Sequence, residues 1–227
     1  MKTGAVALNG PSLTSNYWLK QYKTHKVMEI IFSIAILAMS VIIHEVAHGL
    51  AALSQGDRTA QYAGRLTLNP ISHIDPVGSI IVPLIMAILP GGMIFGWAKP
   101  VPYNPYNLRN GRWGEVWVAF AGPLSNILIA LIAGLTIRFF GQDLPEATVS
   151  ILALTALTNI VLAFFNLIPL PPLDGSKILM NVFPNWFGRF RDVFEQYGFI
   201  ATLIFIFFIW QFLTPVILWL FRLIVGV

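Results

Sequence analysis

Residues 44–48 read HEVAH. On a helix, positions i and i+4 lie one turn apart on the same face, so the imidazoles of His44 and His48 converge on a single point. A metal ion suits that point, and the Glu45 carboxylate beside it is placed to act on a water bound to the ion. Zinc lowers the pKa of such a water toward neutrality, and the carboxylate takes its proton as the hydroxide attacks a peptide carbonyl. The chemistry expected is peptide hydrolysis with one Zn2+, His44 and His48 as metal ligands, and Glu45 as general base and later acid.

Two imidazoles leave a catalytic zinc site one protein ligand short. The chain has no cysteine, so the third ligand must come from His, Asp, Glu or a backbone oxygen. The candidates are His25, His73, Glu29, Asp75, Glu115, Asp143, Glu146 and Asp174. Asp174 stands out because it ends the run NLIPLPPLDG at 166–175, where three prolines break a helix and Gly175 permits a turn. A helix broken there exposes backbone groups, which a bilayer tolerates only around a protein-lined cavity.

Four further polar residues are weighed with them. Asn166 and Asn126 are candidates for contact with substrate or with the developing oxyanion, against helix-capping or interhelical roles. In the same AGPLSN segment, at 121–126, Gly122 and Pro123 read as close helix packing. His73 and Asp75 form an accessory candidate, a second metal site or a gate, against a hydrogen-bonded loop pair. The segment GWAKPVP reads as an extended edge able to pair with an unwound substrate strand, against an ordinary interfacial loop.

The elements that must position these groups are set by composition. The chain is 227 residues long, 56% hydrophobic and 11% charged, where soluble domains carry about 25% charge. Apolar runs near 27–53, 115–140, 148–168 and 198–221 approach the roughly 20 residues needed to cross a bilayer as a helix. A fifth, 77–95, is interrupted by Pro83, Pro90, Gly91 and Gly92. Stretches 56–76 and 96–114 are expected to be irregular or strand-like. The fold class is thus all-α integral membrane, a polytopic helical bundle with re-entrant or strand-like loop elements. Residues 1–26 form an N-terminal tail with an interfacial segment at 17–23, and 27–227 a single transmembrane domain. The first apolar run lacks a small-residue cleavage site and is not read as a cleaved signal peptide. The net charge of +4 is scattered through tail and loops, which points to anionic lipid headgroups and not to nucleic acid.

HEVAH, AGPLSN and NLIPLPPLDG, in this order and spanning most of the chain, resemble the three signatures of the site-2 protease family, peptidase family M50. The resemblance implies a three-helix catalytic core, with His44, His48 and Asp174 on the metal and Glu45 as catalytic glutamate. It also implies transmembrane protein substrates cut within or near their membrane segments. NPISHIDPVGS at 69–79 exceeds the minimal family pattern and looks like a compact prokaryotic branch. No PDZ or CBS-like domain is expected in this length.

The alternative is a membrane metal transporter or sensor without proteolytic activity, which needs the ligands but not the base. For the helices of His44 and Asp174 to bring both to one ion, they must end on the same side of the membrane. That predicts that 77–95 dips in and returns, reversing at 90–92. Loops 55–76, 96–114 and 169–197 would then share one side with eight of the fourteen Lys and Arg. This leans toward the cytoplasmic face of a prokaryotic cell membrane, as the resemblance also implies.

Overall fold

The computed structural model describes residues 15–88, 96–187, 191–205, 208 and 210–226. Every regular element among them is helical: α1 (Ser15–Ser54), α2 (Thr59–Tyr62), α3 (Val82–Ile88), α4 (Gly111–Phe140), α5 (Glu146–Asn166), α6 (Asp174–Val182), α7 (Pro184–Phe187), α8 (Arg191–Ile204) and α9 (Trp210–Val225). Single 3-10 turns at Pro70–His73 and Pro105–Asn107, and a π-helical stretch at Pro76–Ile81, complete the list. Of the two forms expected for 56–76 and 96–114, irregular or strand-like, the described residues show the irregular one, with short helical turns and chain that forms no strand. Helix α4 begins at Gly111, slightly before the apolar run that predicted it.

Contacts divide the chain into Met1–Ala35 and Ile36–Val227. In the first unit the described residues form the opening of α1, so the aromatic and lysine-bearing stretch 17–23 is helical. Its apolar side chains Ile30, Ile31, Phe32 and Ile34 are exposed.

The second unit holds the core. Ile30–Ser54 of α1, all of α4 and all of α5 are each long and apolar enough to cross a membrane, matching three of the predicted runs. The fourth run, 198–221, is carried by α8 and α9, with 206, 207 and 209 outside the described residues. Helices α4 and α5 are joined by only five residues, which makes them an antiparallel pair. They pack against each other along their length, and α9 packs against both. Ala130, Ile160 and Ile217, one from each, are buried at that junction with Leu157, Phe164, Leu213 and Phe221 around them.

A polar layer fixes the register of α1, α4 and α5. Asn159 donates through Nδ2 to Ser40 Oγ at 2.8 Å, and Asn126 donates through Nδ2 to Asn159 Oδ1 at 2.8 Å. Asn126 and Asn159 are fully buried and Ser40 nearly so. In an apolar bundle such bonds hold helices to one another at a defined height.

Beyond α1 the chain is tied back by Asp57, also fully buried. Its carboxylate accepts hydrogen bonds from the Thr59 N–H and hydroxyl, the Asn104 N–H at 2.7 Å and Asn107 Nδ2 at 2.9 Å. This joins the end of α1 to the loop that leads into α4. The chain that leaves at Gly78 comes back to it: the Trp97 N–H donates to Gly78 O at 3.1 Å, and Ser79 Oγ donates to Trp97 O at 2.8 Å. The predicted reversal at 90–92 lies outside the described residues.

Candidate metal centre

His44 and His48 face α4 from one side of α1, as the i, i+4 spacing requires, and are 5% and 8% exposed. Their outer nitrogens are anchored. His44 Nδ1 lies 2.6 Å from Asn126 Oδ1, and His48 Nδ1 lies 2.7 Å from the Val118 carbonyl. The Asn126 amide orientation follows from its partners, since its Nδ2 faces the oxygens of Asn159 and Ser40. Both partners of Nδ1 are acceptors, so both Nδ1 atoms carry hydrogen and both Nε2 atoms are free to present lone pairs inward.

The inward atoms meet Asp174. The two Nε2 atoms are 3.0 Å apart, and each lies 3.1 Å from Asp174 Oδ2. Three acceptors facing one another at this range repel unless a cation lies among them. A tetrahedral zinc with bonds near 2 Å sets its ligand atoms about 3.3 Å apart, so the triangle fits one ion of that size. A carboxylate is the form of Asp174 that a divalent cation at this point selects. Among the described residues these three form the only group of His, Asp or Glu so gathered.

Local sequence explains how Asp174 arrives there. After α5 the prolines of LPPLDG forbid further helix, and the chain turns so that Asp174 opens α6. A Cβ at Gly175 would stand 2.2 Å from Leu167 O, so only glycine lets the start of α6 press against the end of α5. The Thr202 hydroxyl of α8 donates to Pro171 O at 2.9 Å and braces the turn. Gly122 serves the imidazoles in the same way. A Cβ there would stand 2.4 Å from His48 Nε2 and 2.6 Å from His44 Cε1, so the glycine read as helix packing clears the metal pocket itself.

Glu45, half-buried, follows His44 on α1 and accepts at Oε2 a hydrogen bond of 2.8 Å from the Val101 N–H. The other candidates fall elsewhere. Asn126 is fully buried behind His44, with its Oδ1 on the imidazole. Asn166 turns its amide onto Leu162 O of its own helix at 3.0 Å. His73 is 2% exposed, with Nε2 on Thr67 O at 2.8 Å, and Asp75 caps the helical stretch after it through Val77 N and Gly78 N. Both therefore make loop bonds and neither joins the metal group. Trp97, Lys99 and Val101 spend alternate N–H groups on Gly78 O, His73 O and Glu45, so this edge does not offer them to a substrate strand.

The sequence reading missed Ser40 and Asn159, which hold Asn126 in place. A signal for both was present, because polar side chains inside apolar helices are costly and usually engaged.

Comparison with known proteins agrees with this geometry. A family model described as Peptidase family M50 matches residues 135–210. The chain is 39% identical over 175 residues to the putative zinc metalloprotease YwhC of Bacillus subtilis, covering 74% of this chain and 76% of that protein. It is 29% identical over 167 residues to the putative zinc metalloprotease Rip2 of Mycolicibacterium smegmatis, covering 73% and 62%. The putative zinc metalloprotease sll0528 of Synechocystis is 31% identical over 147 residues, covering 65% and 30%. The chain thus spans less than two thirds of the last two. No solved structure matches.

Proposed function

The chain belongs to peptidase family M50 and is a metalloprotease, and from that premise we propose that it hydrolyses peptide bonds within or beside the transmembrane segments of other proteins. The observation that carries this reading is the closed triangle of His44 Nε2, His48 Nε2 and Asp174 Oδ2, with the Glu45 carboxylate on the same turn of α1. His44 and His48 lie on a helix long and apolar enough to cross a membrane, and Asp174 opens α6 a short loop after another such helix.

In this reading His44, His48 and Asp174 hold one zinc ion. When bound, zinc supplies Lewis acidity, which makes a coordinated water acidic near neutral pH and polarises the scissile carbonyl. The chain's own groups do the rest. Glu45 accepts a proton from the attacking water at a carboxylate oxygen and returns it to the departing amine. Asn126 and the Val118 carbonyl keep both imidazoles in the tautomer that turns Nε2 inward. The substrate helix must unwind locally, because its own hydrogen bonds cover the scissile carbonyl. The re-entrant course expected for 77–95 is kept as part of the proposal, supported by the hydrogen bond from the Trp97 N–H to Gly78 O, and with it a site toward the cytoplasmic face, argued from the basic residues of the loops.

Glu45→Gln tests the reading, since an amide cannot take the water's proton. Cells carrying the wild-type protein or Glu45→Gln are compared by quantitative proteomics of membrane-protein fragments. Fragments that vanish in the variant while its zinc content stays near the wild-type level are the expected result. Identical fragment sets would sink the proposal.

A further inference from the structure

Between Lys99 and Tyr103 the chain reads KPVPY. Pro100 and Pro102 carry no N–H, so within 100–102 Val101 alone can donate from the backbone. That one N–H is aimed at Glu45 Oε2, 2.8 Å away. Among the described residues Oε1 of the same carboxylate takes no protein hydrogen bond.

The peptide is held from several directions. Each residue before a proline is confined to extended backbone, and each proline fixes its own φ, so 99–102 has little freedom to lose on docking. On one side the Lys99 N–H donates to His73 O at 2.9 Å, and Arg65 Nη2 donates to Lys99 O at 2.7 Å. On the other, the Asn104 N–H reaches Asp57, and the Tyr103 hydroxyl reaches Glu115 Oε1 at 3.3 Å. The Val101 side chain is 6% exposed and lies over Gly49, where a Cβ would stand 2.8 Å from Val101 Cγ1. Gly49 is one turn beyond Glu45 on the same face of α1. Side chain and N–H of a single residue therefore grip two successive turns of the catalytic helix.

We propose that the Val101 peptide N–H is a positioning group for Glu45. By taking Oε2 it fixes the carboxylate's rotamer and leaves Oε1 as the oxygen that exchanges the proton with water. The inference rests on Glu45 as the general base. It also gives the PVP sequence a purpose that strand pairing does not, because flanking prolines silence every neighbouring donor and leave one N–H directed at one acceptor. A purely structural strap would use the Lys99 and Val101 bonds alike, as two ties holding the same loop.

That difference is the test. An α-hydroxy acid placed by codon suppression swaps one peptide N–H for an ester oxygen and keeps the side chain. The ester is made at 101, and separately at 99, in the full-length protein. Cleavage is followed in proteoliposomes with a membrane protein drawn from the Glu45-dependent fragments above. The ester at 101 is expected to lower kcat about 10-fold or more, with KM within about twofold and zinc content unchanged. The ester at 99 is expected to leave kcat within about twofold. Wild-type kcat for the ester at 101, or an equal loss for both esters, would overturn the proposal. If no Glu45-dependent fragment exists, the proposed function has failed and takes this inference with it, whereas Glu45-dependent cleavage with a fully active 101 ester rejects the positioning role alone.

Discussion

At the scale of single residues, the metal centre is defined as much by what holds the ligands as by the ligands. His44 is oriented by Asn126, and Asn126 by Asn159 and Ser40, so a chain of buried bonds runs from the metal face into the bundle. Removing the Asn159 amide frees Asn126 to rotate without touching any ligand. Loss of a group bonded directly to a ligand typically weakens metal binding by 10–100-fold, and Asn159 acts one bond further out, so Asn159→Ala is expected to lose about tenfold in zinc affinity in chelator competition. Wild-type affinity would show that the relay is not used. The pairing of His44 with His48 was legible in the sequence because i, i+4 spacing is a geometric statement, and the turn that carries Asp174 was legible because prolines announce where a helix must stop. Asn159 sits 33 positions from Asn126 and 119 from Ser40, and no local pattern encodes that meeting. The Val101 contact is harder still to foresee, since a backbone N–H leaves no trace in residue type beyond the prolines around it.

At the scale of elements, the end of α1 and the start of α4 are kept in place by loops, and Asp57 is the principal tie. Burial would raise its carboxyl, but hydrogen bonds from Thr59, Asn107 and Asn104 overcome that and hold it below the usual carboxylate range. A carboxyl depressed on folding contributes stability that is present above the unfolded-state pKa and lost as pH falls through the folded-state value. Asp57→Asn is therefore expected to cost about 3 kcal/mol near neutrality, given several bonds to a charged acceptor. The gap between the thermal midpoints of the two proteins in detergent should narrow as pH falls below the carboxylate range. A gap that stays constant across pH would show that the charge is not what matters. The long helices were readable from apolar length alone. The loops were not, because short helical turns such as α2 and the π-helical stretch at Pro76–Ile81 depend on caps like Asp75 and on distant carbonyls, and not on periodicity.

At the scale of the whole molecule, α4 and α5 form an antiparallel pair, and both meet α1 through the polar layer and the metal group. His48 meets the carbonyl of Val118 in the first half of α4, and Asp174 follows the end of α5, so α1 and α5 finish at the same level. Read into a bilayer, this favours the proposed return of 77–95 to the side it left. Single cysteines at Ser72, Asn104 and Asn185 in this cysteine-free chain are expected to label from one side with an impermeant reagent. Opposite labelling of 72 and 104 would refute that topology. The account as a whole stands on three side chains from two distant parts of the chain gripping one ion, and metal analysis of the purified protein tests this most directly. It predicts about one zinc per chain, lost in His44→Ala, His48→Ala and Asp174→Ala alike and kept in His73→Ala; full zinc in the three ligand variants, or loss in His73→Ala equal to theirs, would contradict it.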